Sequence, residues 1–180
     1  ISKLFNKIIR PPDNVFISPK ITEITGITRE QCNKEGVSIV EALMEFYKTY
    51  MECNIIVSHN LSFDQAMIEV EIHRNYEALK QNGIDGLILF NQLFNKINNK
   101  ELFCTMKAGK PICNIVIENT NSTPNKTRNY VKYPKLTELY EKMFQEIPKN
   151  LHDAKVDTLL CLRCYMKLKR DLTIDISELL

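Results

Sequence analysis

The sequence predicts an α/β fold in which helices pack against a sheet. Three observations carry that expectation. Short apolar runs alternate with longer amphipathic ones, giving a strand, helix, strand, helix order. The 180 residues are 44% hydrophobic and 26% charged, enough for a folded core. Five glycines and seven prolines exclude collagen-like and linker-like chains.

Taken in order, ISKLFNKIIRPP predicts a short strand that stops at Pro11-Pro12. Val15 to Thr28 reads as loop and turn, with Gly26 inside ITEITGIT. After Gly36, the spacing of Val40, Leu43, Tyr47 and Tyr50 predicts a helix with one apolar face. Asn54 to Ser58 is then a short buried strand. Ile68, Ile72 and Leu79 mark a helix that Asn82-Gly83 ends. LILFNQLFNKINN is compatible with strand or helix, and ELFCTM reads as a strand. Residues 107–134 are dense in Gly, Pro, Asn and Thr. They read as an insertion containing one small strand, ICNIVIE, and a polar loop. A helix over Pro134–Gln145 turns Leu136, Leu139, Tyr140 and Met143 inward. The last helix, Asp153–Lys169, carries the stripe Ala154, Thr158, Cys161, Tyr165 and Leu168.

Charge and cysteine usage narrow the function classes. The formal net charge is +2, so global charge does not argue for nucleic acid. Between Lys100 and Lys135, however, seven basic residues stand against Glu101 and Glu118. Such a segment can meet a phosphate backbone or be an ordinary solvated loop. Cys161 and Cys164 form a C-x-x-C pair, the spacing of a redox motif or half a zinc site. They lie in a helical run with no second pair, so core packing is expected. The other four cysteines read as small buried hydrophobes of a reducing compartment. No run approaches the roughly 20 apolar residues of a membrane span, and the start is not that of a signal peptide. An intracellular protein, cytoplasmic, nuclear or virus-encoded, without a membrane partner is the expectation.

The residues able to carry chemistry are few. His59 follows a strand and is followed by Asn60 and Asp64; His152 precedes the last helix and is followed by Asp153 and Asp157. His73 reads as a surface residue. Carboxylates that converge on one spot repel unless a cation joins them. Their hard oxygens suit Mg²⁺ or Mn²⁺. Two such ions about 3.5–4 Å apart are a common device for phosphodiester cleavage, and a nearby His can accept the proton of the attacking water. Each residue also has a plainer role: Asp64, Asp153 and Asp157 as first-turn charges at a helix dipole, Asn60 as an N-cap.

The two patterns in order resemble a known family. Ser58-His59-Asn60-Leu61-Ser62-Phe63-Asp64 resembles the second motif of the DEDDh 3′–5′ exonucleases, the proofreading exonuclease and RNase T superfamily. His152-Asp153-Ala154-Lys155-Val156-Asp157 resembles their third motif, with the His five residues before the Asp. ITEITGIT resembles the segment in which these enzymes carry a Gly-Ile that touches the terminal nucleotide. Cys104-Thr105 and the Lys135–Phe144 helix fall where the family has a strand end and a helix.

The resemblance implies a ribonuclease H-like mixed sheet flanked by helices over one domain, 1–180. It implies a metal-dependent enzyme that shortens DNA or RNA from a single-stranded 3′ end. Asp64 and Asp157 would bind two Mg²⁺ or Mn²⁺ ions, and His152 would be the general base. Gly26, Ile27 and Asn60 would contact substrate, whereas Phe63 reads as core and Asp153 as a helix-start charge. The family's first motif, D-x-E on the first strand, has no counterpart in Ile1–Pro12. The chain is therefore expected to lack the first two strands of the sheet and to be inactive alone. A non-catalytic nucleic-acid-binding or scaffold module of the same fold is the alternative, motivated by the basic segment; a cysteine-based metal or redox protein is a third.

Overall fold

The computed structural model describes residues 5–118, 129–148 and 153–179. The chain divides into two compact units, Ile1–Ile56 with Ser62–Leu102, and Val57–Leu61 with Phe103–Leu180.

In the first unit, three helices follow one another behind well-formed caps. Helix α1 (Pro19–Thr25) starts with the Ser18 hydroxyl accepting from the Ile21 amide and ends at Gly26. Helix α2 (Arg29–Glu35) has a reciprocal capping box between Thr28 and Gln31. Helix α3 (Ile39–Glu52) is capped by Ser38 and buries Ala42, Leu43 and Tyr50. The Val15–Thr28 loop expectation is thus corrected: its middle is a helix. The initial strand is corrected too. Among the described residues its pairing is one parallel bridge, Ile9 with Val37. Val37 cannot extend it, because Ser38 already caps α3. The Arg10 guanidinium holds this corner, donating to the carbonyls of Gly36 (2.7 Å) and Cys32 (3.4 Å).

Strand β1 (Ile55–Ser58) is half-buried rather than buried. Helix α4 (Leu61–Arg74) and helix α5 (Tyr76–Gln81) replace the single helix expected there, broken at Asn75 and closed by Asn82 and Gly83. Ile72 and Leu79 are buried, as their spacing predicts. They leave no room for a side chain at Gly86, where a Cβ would stand 2.8 Å from Ile72. The ambiguous stretch resolves into a 3₁₀ turn at Gly86–Ile88, helix α6 (Gln92–Ile97) and strand β2 (Glu101–Cys104).

Tyr50 organises this unit. Its hydroxyl donates to Asn95 Oδ1 at 2.6 Å and accepts from the Phe90 amide at 3.0 Å. Phe46 and Phe90 pack on its ring. Lys100 Nζ crosses the ring face and donates to the carbonyls of Tyr50, Met51 and Cys53 at the end of α3.

β1 and β2 form a two-stranded sheet, and residues of each strand fall in both units. The second unit is mainly helical. Helix α7 (Thr105–Cys113), helix α8 (Leu136–Phe144) and helix α9 (Ala154–Arg170) pack on one another. A short antiparallel pair, β3 (Val116–Ile117) and β4 (Tyr130–Val131), joins the first two. The expected loop character of residues 107–113 is corrected, since they complete α7. The expected strand ICNIVIE shrinks to two residues, and residues 119–128 of the polar loop lie outside the described residues.

The core holds Leu139, Tyr140, Val156, Leu159, Leu160, Cys164 and Ile176. Leu136 and Met143 pack against it as expected. The stripe on α9 is rotated from the expectation: Ala154 and Thr158 are exposed, while Val156, Leu159 and Leu160 are buried with Cys161, Cys164 and Tyr165.

All six cysteines are free thiols. Cys53, Cys104 and Cys113 are half-buried, against the expectation of full burial; Cys32, Cys161 and Cys164 are buried. Burial pushes the Cys164 thiol up to about 12. An unfolded thiol ionises near 9.0, so above that pH the unfolded state loses a proton that the folded state keeps. Stability from this group is therefore complete below pH 9 and falls as pH rises toward 12. Thermal melts of wild type should drop across that window more than those of Cys164→Ala. Native Cys164 should resist maleimide at neutral pH, and rapid labelling would contradict its placement.

Candidate active site

The second-motif residues sit where β1 runs into α4. Asn60 occupies the left-handed region, with φ of 70°, directly before the helix. This is a conformation that Asn adopts more readily than other non-glycine residues. Asp64 lies in the first turn of α4 and is partly exposed. A carboxylate there is favoured by the positive end of the helix dipole. Phe63 is 60% exposed, which corrects its expected core position. With Met67 and Val70, at spacings of four and three, it forms an exposed apolar strip along α4.

The third-motif residues sit at the start of α9. Asp153 is the N-cap, accepting from the amides of Lys155 (2.9 Å) and Val156 (3.0 Å). That is the helix-start role expected of it. Asp157 follows one turn later, partly exposed, in the first turn. His152 lies outside the described residues.

Gly26 closes α1 with φ of 71°, and its amide donates to Thr22 O at 2.8 Å. No atom lies within 4 Å of a Cβ built on it, so the left-handed backbone rather than crowding explains the glycine. Ile27 follows, its amide bonded to Thr25 Oγ1 and its carbonyl to Thr22 Oγ1. By unit, Gly26, Ile27 and Asp64 belong to the first, Asn60 and Asp157 to the second. Among the described residues no group of three or more His, Cys, Asp or Glu stands ready for a metal ion. Asp64 and Asp157 supply hard oxygens of the right chemistry, but the described residues do not by themselves complete a cation site.

Sequence reasoning missed what surrounds His59. Its Nε2 is 3.0 Å from the Pro134 carbonyl oxygen, and its Nδ1 is 3.0 Å from Thr105 Oγ1. Thr105 begins α7, is fully buried, and is also 3.6 Å from Cys161 Sγ. No local signal joins these residues, which are 46 and 75 positions from His59.

Three basic residues of the segment, Lys100, Lys110 and Lys132, are engaged within the protein. Lys100 holds the end of α3. Lys132 pairs with Glu138 at 2.5 Å and keeps that carboxyl below its usual range, chiefly by its hydrogen bond. Lys110 lies over the Tyr133 ring. Lys126 and Arg128 lie outside the described residues. His73 is exposed, as its position suggested.

The mixed α/β architecture of the described residues is compatible with an exonuclease domain. The chain belongs to the RNase T family, described as Exonuclease, whose model matches residues 1–165. No curated protein and no solved structure matches the chain. Family membership makes a nucleic acid the substrate class. No helix among the described residues is long and apolar enough to cross a membrane.

Proposed function

We propose that this chain is the greater part of a metal-dependent 3′–5′ exonuclease domain that hydrolyses phosphodiester bonds from a single-stranded 3′ end of DNA or RNA. The observation that carries the reading is the family match over residues 1–165, with the second and third motifs in order inside it. The position of both motif carboxylates in the first turn of a helix supports it.

In this reading residues 1–180 are one domain with an insertion at about 107–134, whose first residues complete α7. A ribonuclease H-like sheet would be finished by strands outside these 180 residues, one of them carrying D-x-E. Asp64 and Asp157 would hold Mg²⁺ or Mn²⁺ together with the carboxylates of that strand. The ions, when bound, supply charge neutralisation at the phosphate and lower the pKa of water. The imidazole of His152 would take a proton from the attacking water. Gly26 and Ile27 would pack on the terminal base or sugar, and Asn60 would also contact the substrate.

The test is digestion of labelled single-stranded DNA, duplex DNA and RNA by the full-length protein, with Mg²⁺ and with EDTA. Mononucleotide release from 3′ ends that EDTA abolishes is the expected result, with no release by the 180-residue chain alone. Binding without cleavage in every condition would instead favour a non-catalytic nucleic-acid-binding module, the reading the basic segment motivates.

A further inference from the structure

The side chains of His59, Thr105 and Cys161 form a chain of hydrogen bonds inside the second unit. The Pro134 carbonyl can only accept, so His59 Nε2 carries a proton and donates to it at 3.0 Å. Nδ1 lies 3.0 Å from the Thr105 hydroxyl, which also stands 3.4 Å from the Ser58 carbonyl, an acceptor. The Thr105 oxygen keeps lone pairs to accept the Cys161 thiol at 3.6 Å. Thr105 is fully buried, and so is the Pro134 side chain. A broken link would therefore leave the Thr105 hydroxyl without water to replace its partner.

Each end of this chain abuts a candidate site residue of the same unit. At one end His59 precedes Asn60, held in the left-handed region where β1 gives way to α4. At the other end Cys161 lies one turn of α9 after Asp157, on the same helix face. We propose that His59 and Thr105 are positioning residues. Their hydrogen bonds tie the end of β1 to α9 and to the chain entering α8, and so fix Asn60 and Asp157 relative to each other. This rests on the exonuclease reading above.

The experiment uses the full-length protein and compares Thr105→Val, which keeps shape and loses the hydroxyl, with Thr105→Ser, which keeps the hydroxyl. Thr105→Val should lower kcat about 10- to 100-fold with KM unchanged, the range for residues that orient metal ligands. Thr105→Ser should restore most of it. His59→Gln should fall as far, and His59→Gln with Thr105→Val no further than the worse single change, because both cut one chain. His59→Gln carries the same readout should Thr105→Val fail to fold. A kcat for Thr105→Val equal to wild type, or equal losses in the Val and Ser variants, would overturn the positioning role while leaving the nuclease reading intact. An inactive wild-type protein would overturn that reading, and the positioning role with it.

Discussion

Asp157→Ala in the full-length protein is expected to lower 3′-end hydrolysis by about 10³-fold or more while leaving the fold intact. The magnitude follows from the proposed role. A metal that stabilises transition-state charge contributes several kcal/mol, and each 1.36 kcal/mol is tenfold in rate. Stability should change little. Asp157 is partly exposed in the first turn of α9, and the cap of that helix is supplied by Asp153 through two hydrogen bonds. Losing a first-turn carboxylate removes about 0.3–1 kcal/mol of dipole interaction. Asp153→Ala should do the reverse, losing about 1 kcal/mol of helix stability with kcat retained at a temperature where the variant is folded. His152→Ala should cost about 10²- to 10⁴-fold in kcat, the usual range for a general base. Rates for Asp157→Ala or His152→Ala near wild type would sink the assignment, and a large kcat loss in Asp153→Ala alone would show that the motif had been read onto the wrong carboxylate.

The parts legible in the sequence are those whose signal is local. Helices α3 and α8 announce themselves by a single apolar face, and Tyr50 and Leu139 are buried as that face requires. Helix α1 has no buried residue at all. Periodicity could not find it; only the Ser18-Pro19 start and the Gly26 stop mark it. On α9 the small residues Ala154 and Thr158 fit an apolar stripe as well as Val156 and Leu159 do. The neighbours α7 and α8 decide between the two phases, and they are remote in sequence. The same holds at the candidate site. H-N-x-x-F-D and H-D-A-x-x-D are local and could be read. The bonds of His59 to Pro134 and Thr105 join three distant segments, and Phe63 is exposed although its residue type argues for burial.

The contact between α7 and α8 gives the largest expected effect on stability. Leu139 is fully buried at the centre of the second unit. It lies so close to α7 that a Cβ added at Gly109 would stand 2.6 Å from its Cδ1 and 2.9 Å from its Cδ2. Glycine in a helix interior costs about 1 kcal/mol relative to alanine, so its place in α7 is explained by this close approach. Leu139→Ala should destabilise the unit by about 2–5 kcal/mol, from lost burial and the cavity left behind. Gly109→Ala should also destabilise, by about 1–3 kcal/mol, because the end of the fully buried Leu139 side chain must shift to admit the methyl group. The double variant separates packing from propensity. With Leu139 cut back, the new methyl group enters the vacated space and α7 gains the better helix former. The double variant should therefore be more stable than Leu139→Ala alone, with a coupling of about 0.5–3 kcal/mol favouring the pair. Urea melts of the four proteins measure it. Strictly additive losses would mean that Gly109 and Leu139 do not meet, and that α7 and α8 cross elsewhere along their lengths.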